Sequence, residues 1–117
     1  MFLVAAAFLA ASVPPTRTGD CRWIHGRFNL WNGSSVRRIW IIGTNRIVAL
    51  KDQDANVPPE IKTYLYSGFY PAKHDGLFGD FYVCAVEPSR PGHMQHVRLR
   101  ATKNLTFKGH PFIAAKH

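Results

Sequence analysis

The chain has 117 residues, 46% of them hydrophobic, and carries 15 Lys and Arg against 7 Asp and Glu, a formal net charge of +8. That length fits one domain, and that hydrophobic share excludes a disordered chain. The positive balance favours anionic partners such as nucleic acid, acidic lipid, lipopolysaccharide or acidic cell-wall polymer.

Met1 to Ala11 reads MFLVAAAFLAA, and no charge appears before Arg17. This run matches the hydrophobic core of a signal peptide, although no Lys or Arg precedes it. It is shorter than the roughly 20 apolar residues that a transmembrane helix needs, so no transmembrane span is expected. Cleavage after Ser12 satisfies the small-x-small rule through Ala10 and Ser12, and cleavage after Ala7 fits it as well. The expectation is a periplasmic or secreted protein, with residues 1–20 as signal peptide and linker. Asp20 argues against a lipidated Cys21. Cys21 and Cys84 are the only cysteines. An even count in an exported chain predicts a disulfide, and chain entropy puts its contribution at roughly 4 kcal/mol.

Cys21 to Leu30 alternates, with Ile24, Phe28 and Leu30 on one face and Trp23, His25, Arg27 and Asn29 on the other. Period two predicts a half-buried strand, with Gly26 marking a bulge or bend. Asn32-Gly33 is a hairpin-turn signal. Val36 to Ile42 is β-branched and aromatic and reads as a second strand. After a Gly43–Arg46 turn, Ile47 to Leu50 reads as a short third strand. Pro58-Pro59 then opens a helix over about Pro59 to Ser67, with Glu60 at its positive end and Gly68 as its C-cap. Ile61, Tyr64 and Leu65 recur at helical spacing. Phe69 to Gly79 reads as a connector. Asp80 to Glu87 is apolar on both faces, as a central strand would be. After the Pro88–Gly92 turn, Met94 to Ala101 places Val97 and Leu99 inward and His96, Arg98 and Arg100 outward. Leu105 and Phe107 continue it past an irregularity at Thr102–Asn104. The segment 110–117 reads as a flexible tail.

Three strands, a helix and two strands match a mainly β domain over residues 21–109: a small five-stranded OB-like barrel with its helix between the third and fourth strands. In that fold the first strand pairs with the fourth, which would bring Cys21 to Cys84. The segments HGRFNLWNG (His25–Gly33), VRRIWIIGTNRIVAL (Val36–Leu50) and GDFYVCAVEPSRPGHMQHVRLRATKNL (Gly79–Leu105), with the Cys21/Cys84 pair, resemble a family of short uncharacterised exported bacterial proteins. The resemblance implies export and one intact domain, and it supplies no catalytic residue.

Candidate chemistry centres on a basic, aromatic face. Arg98 and Arg100 project together with His96 beside them, and Arg27, Trp23 and Trp40 are the further binding candidates. Basic grooves with aromatic platforms bind oligonucleotides and oligosaccharides; the structural alternative is a solvated positive face. Arg37 and Arg38 fall on opposite faces of their strand. His93-x-x-His96 lacks a companion ligand, so no metal site is expected. No nucleophile motif, phosphate loop or dinucleotide fingerprint appears, so neither an enzyme nor a cofactor is expected. Asp75 and Asp80 read as turn residues. The leading expectation is a non-enzymatic cell-envelope binding module for an anionic polymer or a protein partner. The alternatives are a small envelope enzyme or enzyme inhibitor, and a structural accessory of an envelope complex.

Overall fold

The computed structural model describes residues 13–31, 36–51, 56–66 and 76–112. The apolar leader, the Asn32-Gly33 turn, Gly68, Asp75 and residues 113–117 lie outside the described residues. Among the described residues, six strands and one helix follow in the order β1 (Cys21–Trp31), β2 (Val36–Ile41), β3 (Ile47–Leu50), α1 (Pro59–Tyr66), β4 (Leu77–Ala85), β5 (Gln95–Phe107) and β6 (His110–Pro111).

The hydrogen-bonded order is β3-β2-β1-β4-β5, and β3 also pairs with β5, in parallel, to close the sheet into a barrel. This is the OB-like arrangement expected from the element order. Period two sorts the side chains. Ile24, Phe28, Ile39, Ile41, Val48, Leu77, Phe81, Val83, Val97 and Leu99 point inward and are buried. The helix lays Ile61, Tyr64 and Leu65 against this core. Tyr64 meets Phe28, Phe107 and Phe112 edge to ring, at centroid distances of 5.9, 5.7 and 5.9 Å. Glu60, in its first turn, accepts a hydrogen bond from Thr102 Oγ1 on β5. Among the described residues, no helix is long and apolar enough to cross a membrane.

β1 serves two partners. Residues Cys21 to Phe28 pair with β4, and residues Gly26 to Trp31 pair with β2. The overlap spans Gly26 to Phe28 and opens at Gly26, where a Cβ would stand 2.5 Å from Ile39 Cγ2 and 2.9 Å from the Trp40 carbonyl oxygen. The glycine thus permits a close approach of two strands. Cys21 and Cys84 are direct cross-strand partners, 4.0 Å apart at Cα, and form a disulfide between positions 63 residues apart.

Three boundaries differ from the sequence-based expectation. β4 begins at Leu77 rather than Asp80, because Leu77 and Phe78 find partners in both Phe28 and Arg27 of β1 and Phe107 and Thr106 of β5. The chain after Gly109 is not loose at its start: His110 and Pro111 pair with β5, and Phe112 N donates to Leu105 O at 2.9 Å. Residues 15–20, expected as linker, are hydrogen-bonded to the rest of the domain. They form a strap whose Pro15 carbonyl accepts from Gln95 Nε2 at 3.0 Å, and the same Nε2 donates to the Glu87 carbonyl at 3.0 Å. Gln95 is only 2% exposed. Thr16 O accepts from Ser89 N at 3.1 Å, and Gly19 N donates to Ala85 O at 2.9 Å, so the strap is stitched to the β4–β5 loop.

Two outcomes follow for stability. Replacing both cysteines (Cys21→Ser with Cys84→Ser) should lower the unfolding free energy in urea by about 4 kcal/mol, with the fold retained. Gln95→Leu should cost about 1–3 kcal/mol, because one buried and one half-buried carbonyl lose their donor. Amide exchange should then rise first in residues 13–20.

Candidate functional site

The outward face across β1, β4 and β5 is built in register. Cys21 opposes Cys84, which opposes Arg98. Two residues along, Trp23 opposes Tyr82, and their rings lie 5.2 Å apart. His25 then opposes Asp80, which opposes Lys103. The pairing of β4 with β5 shifts register between Tyr82 and Val83, so that Ala101 and Leu99 are consecutive partners and Arg100 is the extra, bulged residue. A bulge re-aims side chains, and here it leaves Arg100 exposed at the level of Tyr82.

Trp23 is 41% exposed, and Lys103 Nζ sits 4.3 Å from its ring centroid. Such a cation–ring contact at an exposed site contributes about 0.5–1 kcal/mol. Lys51 N donates to Val97 O at 2.8 Å, which carries Lys51 to the flank of β5 beside Arg98. Arg98, Arg100, Lys103 and Lys51 are all exposed.

The Asp80 carboxylate stands in this face and is heavily engaged. Asp80 Oδ1 is 3.0 Å from His25 Nδ1, and Asp80 Oδ2 accepts from Asn104 Nδ2 at 2.9 Å. Partial burial pushes the Asp80 carboxyl up, but the hydrogen bonds from Asn104 and His25 and the charges of His25 and Lys103 outweigh it. The group is held below the ordinary value. Asp80 is therefore a strand residue that ties three strands together, not the turn residue its surroundings suggested. Asn104, at φ 56°, makes its bond from a left-handed backbone position, which asparagine tolerates better than most residues.

The six binding candidates do not form one patch. Trp23, Arg98 and Arg100 share the β1–β4–β5 face. Arg27 and Trp40 are register partners on β1 and β2, and Arg27 lies about 13 Å along β1 from Trp23. Arg27 is half-buried, with its guanidinium 5.8 Å from the Phe78 ring centroid. Trp40 is 38% exposed and donates Nε1 to Thr44 O at 2.7 Å, fixing the β2–β3 turn. His96 lies at the end of the Arg98 row, but its Nδ1 stands 2.9 Å from Glu87 Oε2, and its backbone N donates to the same oxygen at 2.8 Å. Those bonds hold the Glu87 carboxyl below its ordinary value. Among the described residues, no group of three or more His, Cys, Asp or Glu could hold a metal ion. Arg37 and Arg38 take neighbouring positions on β2, opposite Leu30 and Asn29 respectively, and so fall on opposite faces as expected.

Lys103 and Lys51 join the face without having been singled out for it, and Tyr82 completes it beside Trp23. The cysteine pair was the available signal: counting two residues from Cys21/Cys84 along antiparallel strands gives Trp23/Tyr82, and two more gives His25/Asp80.

Asn104→Gly should raise the Asp80 pKa toward its ordinary 3.8, read from the carboxyl carbon shift in an NMR titration. Because the folded-state value is depressed, the stability Asp80 contributes is complete above the unfolded-state value and is lost as pH falls through the folded one. The variant should accordingly lose less stability than the parent as the pH is lowered below about 4. No family model, curated protein or solved structure matches this chain, and what the face can do is therefore read from its own geometry.

Proposed function

We propose that the protein is a non-enzymatic binding module of the cell envelope that holds an anionic polymer on the outer β1–β4–β5 face. The observation that carries this reading is the pairing of exposed Trp23 with half-buried Tyr82, edged by Lys103 and Arg100, with Arg98 and Lys51 one row further on. Aromatic rings give a ligand a stacking platform, and the flanking cations neutralise its repeated charges. Cross-strand pairing and the disulfide hold the platform rigid, so little ordering entropy is lost on binding. The net charge of +8 adds long-range attraction for a polyanion. The disulfide and the apolar leader support placement in the periplasm or outside the cell.

The reading is tested by titrating the protein with polyphosphate, lipopolysaccharide and a single-stranded oligonucleotide while following tryptophan fluorescence. At least one should bind with an affinity that falls steeply with salt. Arg98→Glu with Arg100→Glu should weaken it at least tenfold without changing the melting temperature. Trp23→Ala should weaken it several-fold and remove the fluorescence change. The charge-matched control, Lys62→Glu with Lys108→Glu, should bind like the parent. Equal loss in the control would reduce the interaction to net charge and overturn the assignment to this face.

A further inference from the structure

A second basic feature lies apart from that face. Asn45, Arg46 and Ile47, at the β2–β3 turn, and Arg90, Pro91, Gly92, His93 and Met94, in the β4–β5 loop, line an open cleft of about 380 Å³. That volume falls within the range of small-molecule sites. None of these lining residues is acidic, and three are Arg or His. Glu87 lies near enough for the charge of Arg90 to act on it, but its carboxylate is already taken up by His96.

The walls are fixed in advance. His93 N donates to Arg90 O at 3.2 Å, and Gly92 has φ 78°. A positive-φ glycine at the third position meets the requirement of a type II turn, and proline is common at its second position. Arg90 and His93 are its ends, and the Cα atoms of such ends lie within about 7 Å of each other. On the opposite wall, Arg46 Nη2 donates to Ser89 Oγ, tying the β2–β3 turn to the β4–β5 loop. The strap bonds Ser89 from below, and Thr44 Oγ1 accepts from Arg46 N at 2.9 Å. Met94, 36% exposed, and Ile47 supply an apolar margin. Gathering like charges on rigid turns costs free energy that an anion returns.

We propose that this cleft is a phosphoryl-binding site, with Arg46, Arg90 and His93 donating to the phosphate oxygens and Met94 and Ile47 packing against whatever the phosphate is attached to. Donors drawn from two separate turns suit the several oxygens of a phosphate better than the two coplanar oxygens of a carboxylate. The site shares no residue with the β1–β4–β5 face, so either can fail alone.

The experiment is a titration of the isotopically labelled protein, at constant ionic strength, with inorganic phosphate, pyrophosphate, polyphosphate and acetate, read by amide NMR. Phosphate and pyrophosphate should give saturable shifts centred on Arg46, Gly92, His93 and Met94, and acetate should bind at least tenfold more weakly. Arg90→Ala with His93→Ala should weaken phosphate binding at least tenfold. Arg90→Gln alone, at an exposed position that leaves the Pro91-Gly92 turn intact, should weaken it several-fold. Arg98→Glu with Arg100→Glu should leave it unchanged. Shifts that do not saturate, that centre on Arg98 and Arg100, or that acetate reproduces would overturn the site. Polyphosphate binding more tightly here than free phosphate would assign the ligand as a polymer end; equal binding would assign it as the free ion.

Discussion

The pairing of β1 with β4 joins segments about 60 residues apart along the chain, and the barrel depends on it. β1 also carries β2, and β2 carries β3, so the whole first half of the sheet is attached to the second half along one ladder and the parallel β3–β5 contact. The disulfide closes the free end of that ladder at its first register pair. A bridge placed there acts mainly by constraining the unfolded chain, and it also denies β1 the option of slipping by one residue. Such a slip would turn Ile24 and Phe28 outward and Trp23 and His25 inward.

The same register decides what the surface presents. Strand alternation sends one set of residues to the core and leaves the other to solvent, so the charge of β1, β4 and β5 is laid out in rows rather than scattered. Two departures from strict alternation, the bulges at Arg100 and near Asn104, adjust these rows where they meet the Trp23–Tyr82 pair. Asp80 then acts as a local counter-charge, held by His25 and Asn104 and standing opposite Lys103. The resulting surface combines fixed aromatic area with longer, solvated cationic arms, an arrangement that matches ligands with repeated charge.

Much of the architecture was legible because it rests on local periodicity. The alternation in Cys21–Leu30, the apolar run of Ile47–Leu50 and the spacing of Ile61, Tyr64 and Leu65 each reported the element that forms there. What stayed hidden depends on partners distant in sequence. Leu77 and Phe78 sit beside glycines and read as connector until β1 and β5 are placed on either side of them. Pro15 and Thr16 have no pattern of their own, and it is the buried Gln95 amide and the β4–β5 loop that hold them. The grouping of Arg98 and Arg100 was visible from spacing. The separation of Arg27 and Trp40 from Trp23 was not, because it depends on which neighbour β1 faces at each point along its length. The Pro91-Gly92 turn was readable, whereas its meeting with Arg46 is a product of tertiary structure.

The double duty of β1 also sets an order of assembly. An emerging chain can form the β1–β2–β3 meander early, since those contacts are close in sequence. Until β4 and β5 are available, that meander keeps two open edges and an apolar inner face uncovered. The sheet cannot close before β5 has been made, because β5 supplies both the last wall and the parallel seam with β3. Closure of the barrel, and the Cys21–Cys84 bridge at the free end of the β1–β4 ladder, therefore come after the meander in the order of assembly.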